Sequence, residues 1–163
     1  MKYFRFQDGG GNYLMVEIEP GKLVDLTSNW DTIHEFEDVL RLAQKEGKTV
    51  DYFVEAHLLN QDIEVLTINE IEKKGLQLIR PLTSKEIWAA GVTYRISRDE
   101  RQRESSLPEP YERVYRAQRP EIFFKSTPER CVGPAQSVGI RADSDWNVPE
   151  PELAVVLFKG SIV

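Results

Sequence analysis

Proline stands at positions 149 and 151, alternating with Glu150 and Glu152, and the apolar run Leu153-Ala154-Val155-Val156-Leu157 follows at once. Few stretches restrict the backbone as tightly. Each proline fixes φ near roughly −65° and cannot donate a ladder hydrogen bond, so the segment belongs at a strand entrance or a sheet edge. Residues i and i+2 of an extended chain share a face, which sets Glu150 and Glu152 side by side. Two such carboxylates repel unless a cation lies between them, one is protonated, or water screens both. A rigid pair of hard oxygen donors is what a magnesium-like ion needs. The same residues also suit a solvated Pro-Glu turn before a buried strand, and the pattern alone leaves both open. The run from Leu153 to Phe158 is expected to form a long apolar strand.

The 163 residues suit one ordinary domain, or a small domain plus part of another. A net charge of −6 argues against a nucleic-acid surface. The richest basic stretch, Arg95 to Arg103, is interleaved with Asp99 and Glu100 and reads as a mixed-charge helix surface. No run is apolar enough to cross a bilayer, and no secretory apolar region stands near Met1. The single cysteine, Cys131, excludes an intrachain disulfide and a thiolate zinc cluster, and is expected to be a small buried apolar residue. These features favour a cytoplasmic protein.

The first part of the chain reads as a three-stranded antiparallel meander over Lys2 to Gln7, Tyr13 to Ile18 and Lys22 to Leu26, with glycine-bearing turns between. A helix is expected from Asp31 or Thr32, with Thr32 and Glu35 as a capping box and Gly47 just past its end. A second is expected from Val50 to Leu59, capped by Thr49. His34 and His57 fall in these helices and read as surface or half-buried histidines. Ile63 to Ile68 and Leu76 to Ile79 are expected strands. Arg80-Pro81-Leu82 reads as a linker, dividing a small α/β domain at 1–80 from a second at 81–163. In the second, strands are expected at Ile87 to Val92, at Ile122-Phe123-Phe124 (a buried core strand) and at Val138 to Ile140, with helices over Thr93 to Ser105 and Tyr111 to Gln118. The fold class is α+β. After the hairpin turn Lys159-Gly160, a strand at Ile162-Val163 has no partner left, and the chain is expected to be the front portion of a longer protein.

From Ile87 onward the chain resembles the fumarylacetoacetate hydrolase superfamily. The likeness is carried, in order, by Gly91-Val92-Thr93-Tyr94, by Arg119-Pro120-Glu121-Ile122-Phe123-Phe124-Lys125, by Cys131-Val132-Gly133-Pro134 and by Pro149-Glu150-Pro151-Glu152-Leu153. It is most similar to the superfamily's sugar-acid dehydratases, where the Tyr-Glu-Arg-Val-Tyr region (111–115) also matches. The resemblance implies the start of a catalytic domain of mixed, rolled β-sheet. It implies a divalent ion, Mg2+ with Mn2+ or Ca2+ as alternatives, held by Glu150 and Glu152 and by an aspartate further downstream than Val163. It further implies a 2-oxo acid substrate, a homo-oligomer built through the rolled-sheet domain, and an active-site role for Glu121. Lys125 is expected on the same strand face as Glu121, and Tyr94 is a third candidate.

Hydrolytic members carry a histidine three residues after the tyrosine that Tyr94 matches, and here that position is Ser97. The difference favours elimination over water-driven carbon–carbon cleavage. The expected activity is therefore magnesium-dependent dehydration of a 2-keto-3-deoxy sugar acid to 2,5-dioxopentanoate. A metal-dependent hydrolase of an acylpyruvate-like diketone, and a catalytically incomplete fragment of such an enzyme, are the alternatives. From the residues alone, Glu121 could end a helix-to-strand connection, Lys125 could form a salt bridge with it, and Tyr94 could be a core aromatic.

Overall fold

The computed structural model describes residues 1–59 and 62–163. The chain divides into two compact units, one of 1–83, 132–137 and 157–163, the other of 84–131 and 138–156. Both mix helix and strand, as an α+β chain should.

The first unit is built on the meander. Strands β1 (Lys2–Gln7), β2 (Asn12–Glu19) and β3 (Lys22–Asp25) pair antiparallel, and β4 (Val65–Thr67) and β5 (Gln77–Ile79) extend the two edges to give the order β4-β3-β2-β1-β5. Alternation in β2 explains why both faces of this sheet are covered. Leu14 and Val16 point to one face, where Val24, Leu26, Val39, Ala43, Phe53 and Val54 join them, supplied in part by α2 (Phe36–Lys45) and α3 (Val50–Leu58). Met15 points to the other, packing with Phe6, Leu23, Leu66 and Ile71, the last from α4 (Ile68–Lys73). Arg5 of β1 is the one charged residue buried among the described residues. Its guanidinium donates to Thr83 Oγ1 at 3.0 Å and reaches Glu35 at 3.5 Å.

Local chemistry sets the helix ends. The expected start of α2 at Thr32 is corrected. Asp38, not Glu35, closes the box: its carboxylate accepts from the backbone N–H of Glu35 at 2.9 Å and of His34 at 3.0 Å, so the helix begins at Phe36. His34 therefore lies before the helix, exposed, while His57 lies in α3 with Nδ1 2.8 Å from the Phe53 carbonyl. Gly47 ends α2 at φ +67° in a Schellman arrangement, with Lys48 N–H on the Ala43 carbonyl and Gly47 N–H on that of Gln44. Thr49 caps α3 as expected. The strand expected from Ile63 to Ile68 is shorter, because Thr67 ends it and starts α4 through a capping box with Glu70. A short helix, α1 (Leu26–Asn29), follows β3 and takes Leu26 from the expected strand; the Asp25 side chain accepts from the N–H groups of Thr27 and Ser28.

The second unit holds the antiparallel pair β6 (Ile87–Ala90) and β7 (Ile122–Ser126), and between them the helices α5 (Arg95–Glu104) and α6 (Glu109–Arg116). The helices are joined by charge. Arg98 contacts Asp99 and Glu112, its guanidinium lies 4.6 Å from the centre of the Tyr115 ring, and Gln102 donates to Glu112 at 3.0 Å. A helical turn at Pro128–Arg130 follows β7.

Three expectations fail here. Ile122, Phe123 and Phe124 form a strand but are 43–61% exposed, because no second layer among the described residues covers it. Val138 to Ile140 is not a strand. The long strand over Leu153 to Phe158 shrinks to β8 (Leu157–Phe158), a two-residue arm pairing with β9 (Ser161–Ile162) across Lys159 and Gly160, both at positive φ. The residues after Gly160 thus find a partner in β8.

Candidate functional site

The loop Gly91-Val92-Thr93 joins β6 to α5 and carries Tyr94 as the residue that caps the helix. Gly91 N–H donates to the Glu121 carbonyl at 2.8 Å, extending the β6–β7 ladder by one bond and holding Glu121 at the mouth of β7. The loop is compact: a Cβ on Gly91 would lie 3.7 Å from Val114 Cγ1 and 3.8 Å from Glu121 Cβ. Glu121 and the Tyr94 loop are therefore neighbours through backbone pairing.

Lys125 sits at an irregularity. Trp88 pairs with Phe124 and Ile87 with Ser126, which leaves Lys125 as the extra residue of a β-bulge. Its ammonium lies 5.9 Å from the centre of the Phe123 ring. Trp88 and Phe124 meet edge to face at 5.9 Å on the same pair of strands.

The Pro-Glu-Pro-Glu segment is irregular and exposed, yet it is tied to α5 at two points. Leu153 N–H donates to the Tyr94 hydroxyl oxygen at 2.7 Å, and Arg101 Nη2 donates to Glu150 Oε1 at 3.4 Å. From sequence, Arg101 belongs to a mixed-charge helix surface. The overlooked signal is spacing: positions 94 and 101 are two helical turns apart and share a face. Ser97 stands one turn after Tyr94 on the same helix.

As a donor set, Glu150 and Glu152 suit a hard divalent cation, since Mg2+ is commonly held by one or two carboxylates with substrate and water completing its shell. One observation bears directly on the fit: a positive group, the Arg101 guanidinium, already lies against Glu150. Among the described residues no group of three or more His, Cys, Asp or Glu side chains converges as a metal cluster. Cys131, expected to be buried, is exposed. No helix among the described residues is long and apolar enough to cross a membrane.

No family model matches the chain. It is 45% identical over 139 residues to a probable 2-keto-3-deoxyxylonate dehydratase of Haloferax volcanii, a match covering 85% of this chain and 46% of that protein. It is 46% identical over 95 residues to the 2-dehydro-3-deoxy-D-arabinonate dehydratase of Saccharolobus solfataricus, covering 55% of this chain and 32% of that one. Among solved structures it is similar to 2-keto-3-deoxy-D-arabinonate dehydratase complexed with magnesium and 2,5-dioxopentanoate, with a TM-score of 0.65 and 27% identity over 99% of this chain and 52% of that chain. The apo form of that dehydratase gives a TM-score of 0.63. The chain thus spans about half, or less, of the length of the proteins it matches.

Proposed function

We propose that the chain supplies part of the active site of a magnesium-dependent dehydratase of a 2-keto-3-deoxy sugar acid, on the rolled-sheet fold of the fumarylacetoacetate hydrolase superfamily. The observation that carries this is the 45% identity over 139 residues to a sugar-acid dehydratase. On this reading, residues 1–80 form the small domain and 81–163 the first part of the catalytic domain of a cytoplasmic homo-oligomer.

Glu150 and Glu152 hold the ion. Bound there, it supplies Lewis-acid polarisation of the substrate's 2-keto group. What remains is proton transfer: the C3 proton leaves, the C4 hydroxyl departs as water, and tautomerisation converts a 2-keto-3-deoxy-pentonate into 2,5-dioxopentanoate. Glu121, at the mouth of β7 and one backbone bond from the Tyr94 loop, takes or returns that proton, the role a positioned carboxyl group can fill. Lys125 offers a cation for the substrate carboxylate, and Tyr94 completes the candidate set. Ser97, lacking a basic nitrogen, cannot activate water as imidazole does, which favours elimination over hydrolysis.

The test uses Mn2+ as a spectroscopic replacement for Mg2+. The chain is expected to bind one Mn2+, and Glu150→Gln and Glu152→Gln each to abolish binding, read by electron paramagnetic resonance. Unaltered binding in either variant would show that the ligand assignment is wrong. In magnesium buffer, the enzyme that carries the whole site, of which this chain supplies part, is expected to form 2,5-dioxopentanoate from 2-keto-3-deoxy-pentonate, and cleavage of an acylpyruvate in its place would overturn the dehydratase reading.

A further inference from the structure

Prolines at 149 and 151 leave the Glu150-Pro151-Glu152 pair with few backbone donors, so little of its own backbone can pin it. The first N–H after the pair, that of Leu153, goes to a side chain 59 residues away, the Tyr94 hydroxyl, at 2.7 Å. At the other end, Glu150 meets Arg101. The two spans match: three extended residues at about 3.3 Å each and seven helical residues at about 1.5 Å each both cover roughly 10 Å. The segment from Glu150 to Leu153 therefore runs antiparallel along α5, with a contact at each end. The two contacts differ in kind. The Tyr94 bond joins a rigid phenol to a backbone amide and fixes the Glu152–Leu153 peptide. The Arg101 contact joins two flexible side chains of which 38% and 39% is exposed, the kind of ion pair that holds weakly and exchanges readily.

We propose that Tyr94 is a positioning residue that sets the direction of Glu152 through the Leu153 amide, and that Arg101 is an exchangeable counter-cation that a divalent ion displaces from Glu150. The second half of this proposal rests on the metal reading above; the first stands on geometry alone. Helix α5 then contributes a template for the carboxylate pair. Its N-terminal tyrosine orders the pair whether or not an ion is bound, and its arginine balances the charge of Glu150 until one arrives.

The experiment combines amide hydrogen exchange, read residue by residue by NMR, with Mn2+ titration of the same samples. In the unsubstituted chain without metal, the Leu153 amide is expected to be protected. Tyr94→Phe should speed its exchange about 2- to 10-fold, the loss of one hydrogen bond, without changing protection in β1 to β3. The same variant should weaken Mn2+ binding by a similar factor. Arg101→Gln should act in the opposite direction, tightening Mn2+ binding up to about fivefold by removing a competitor. A purely structural role for both residues would not give opposite signs. Leu153 exchange unchanged by Tyr94→Phe overturns the positioning role, and Mn2+ binding unchanged or weakened by Arg101→Gln overturns the displacement. If the unsubstituted chain binds no Mn2+, the metal reading and the role of Arg101 fail together, while Leu153 exchange still decides the role of Tyr94.

Discussion

Replacing Gly133 with alanine tests how closely the segment 132–137 packs on the edge of the five-stranded sheet. A methyl group at this position would lie 2.7 Å from the Arg80 amide nitrogen, 3.1 Å from the Ile79 carbonyl carbon and 3.2 Å from Ile79 Cα. All three are backbone atoms at the end of β5, so no side-chain rotation relieves the overlap. Forcing an extra methyl into filled space costs about 1–3 kcal/mol. The lower unfolded-state entropy of alanine offsets about 0.4–1 kcal/mol of that. The net loss is about 1–2 kcal/mol, or roughly 2–8 °C in Tm for a chain of this size. Urea unfolding followed by far-ultraviolet circular dichroism measures it. Gly139→Ala is the control, since a Cβ there has nothing within 4 Å, and its effect should stay below about 0.5 kcal/mol. If Gly133→Ala were as stable as its control, the segment would not rest on β5 and the argument from close approach would fail.

Two further outcomes concern the first unit. Burial, together with the hydrogen bond to Asp51 and that group's negative charge, pushes the Tyr3 phenol well above its ordinary range. A folded value raised above the unfolded one, about 10, gives stability that is intact below that pH and is lost as pH rises further. Above about pH 10 the unsubstituted chain should therefore lose stability more steeply than Tyr3→Phe in urea titrations, and equal slopes would refute this. Thr67→Ala should cost about 1 kcal/mol by removing the α4 cap, with helicity lost locally at Ile68 to Lys73, as read by NMR.

How far the fold was legible depends on what each signal measures. The meander was readable because alternation and glycine turns act locally, and Gly47 and Thr49 were readable because caps are local too. The start of α2 was misplaced because two capping patterns overlap, Thr32 with Glu35 and Glu35 with Asp38. Composition cannot rank them; the hydrogen bonds of Asp38 to two backbone amides decide it. Helix α4 is hidden in the sequence although Thr67 and Glu70 have capping-box spacing, because the β-branched residues leading into it fit a strand equally well. Leu153 to Phe158 and Ile122 to Phe124 show a different limit. An apolar run signals a demand for burial, but burial needs a second surface, and among the described residues both segments stay largely exposed. At the candidate site, the carboxylates, Glu121 and Tyr94 could be named from motifs. The contacts of Tyr94 with Leu153 and of Arg101 with Glu150 could not, because they span 59 and 49 residues; helical spacing puts Tyr94 and Arg101 on one face but does not say what meets that face.

Every fully buried side chain among the described residues belongs to the first unit. The heat-capacity step of unfolding comes mainly from hydrating apolar surface, so it should arise almost wholly from that unit, in a single endotherm. The helical hairpin of the second unit is held instead by Arg98, Glu112 and their neighbours, whose attraction weakens as salt shortens the Debye length. Two stretches of one polypeptide thus answer to different variables of the solvent: temperature governs the sheet, and ionic strength governs the helices, one of which meets Glu150 through Arg101.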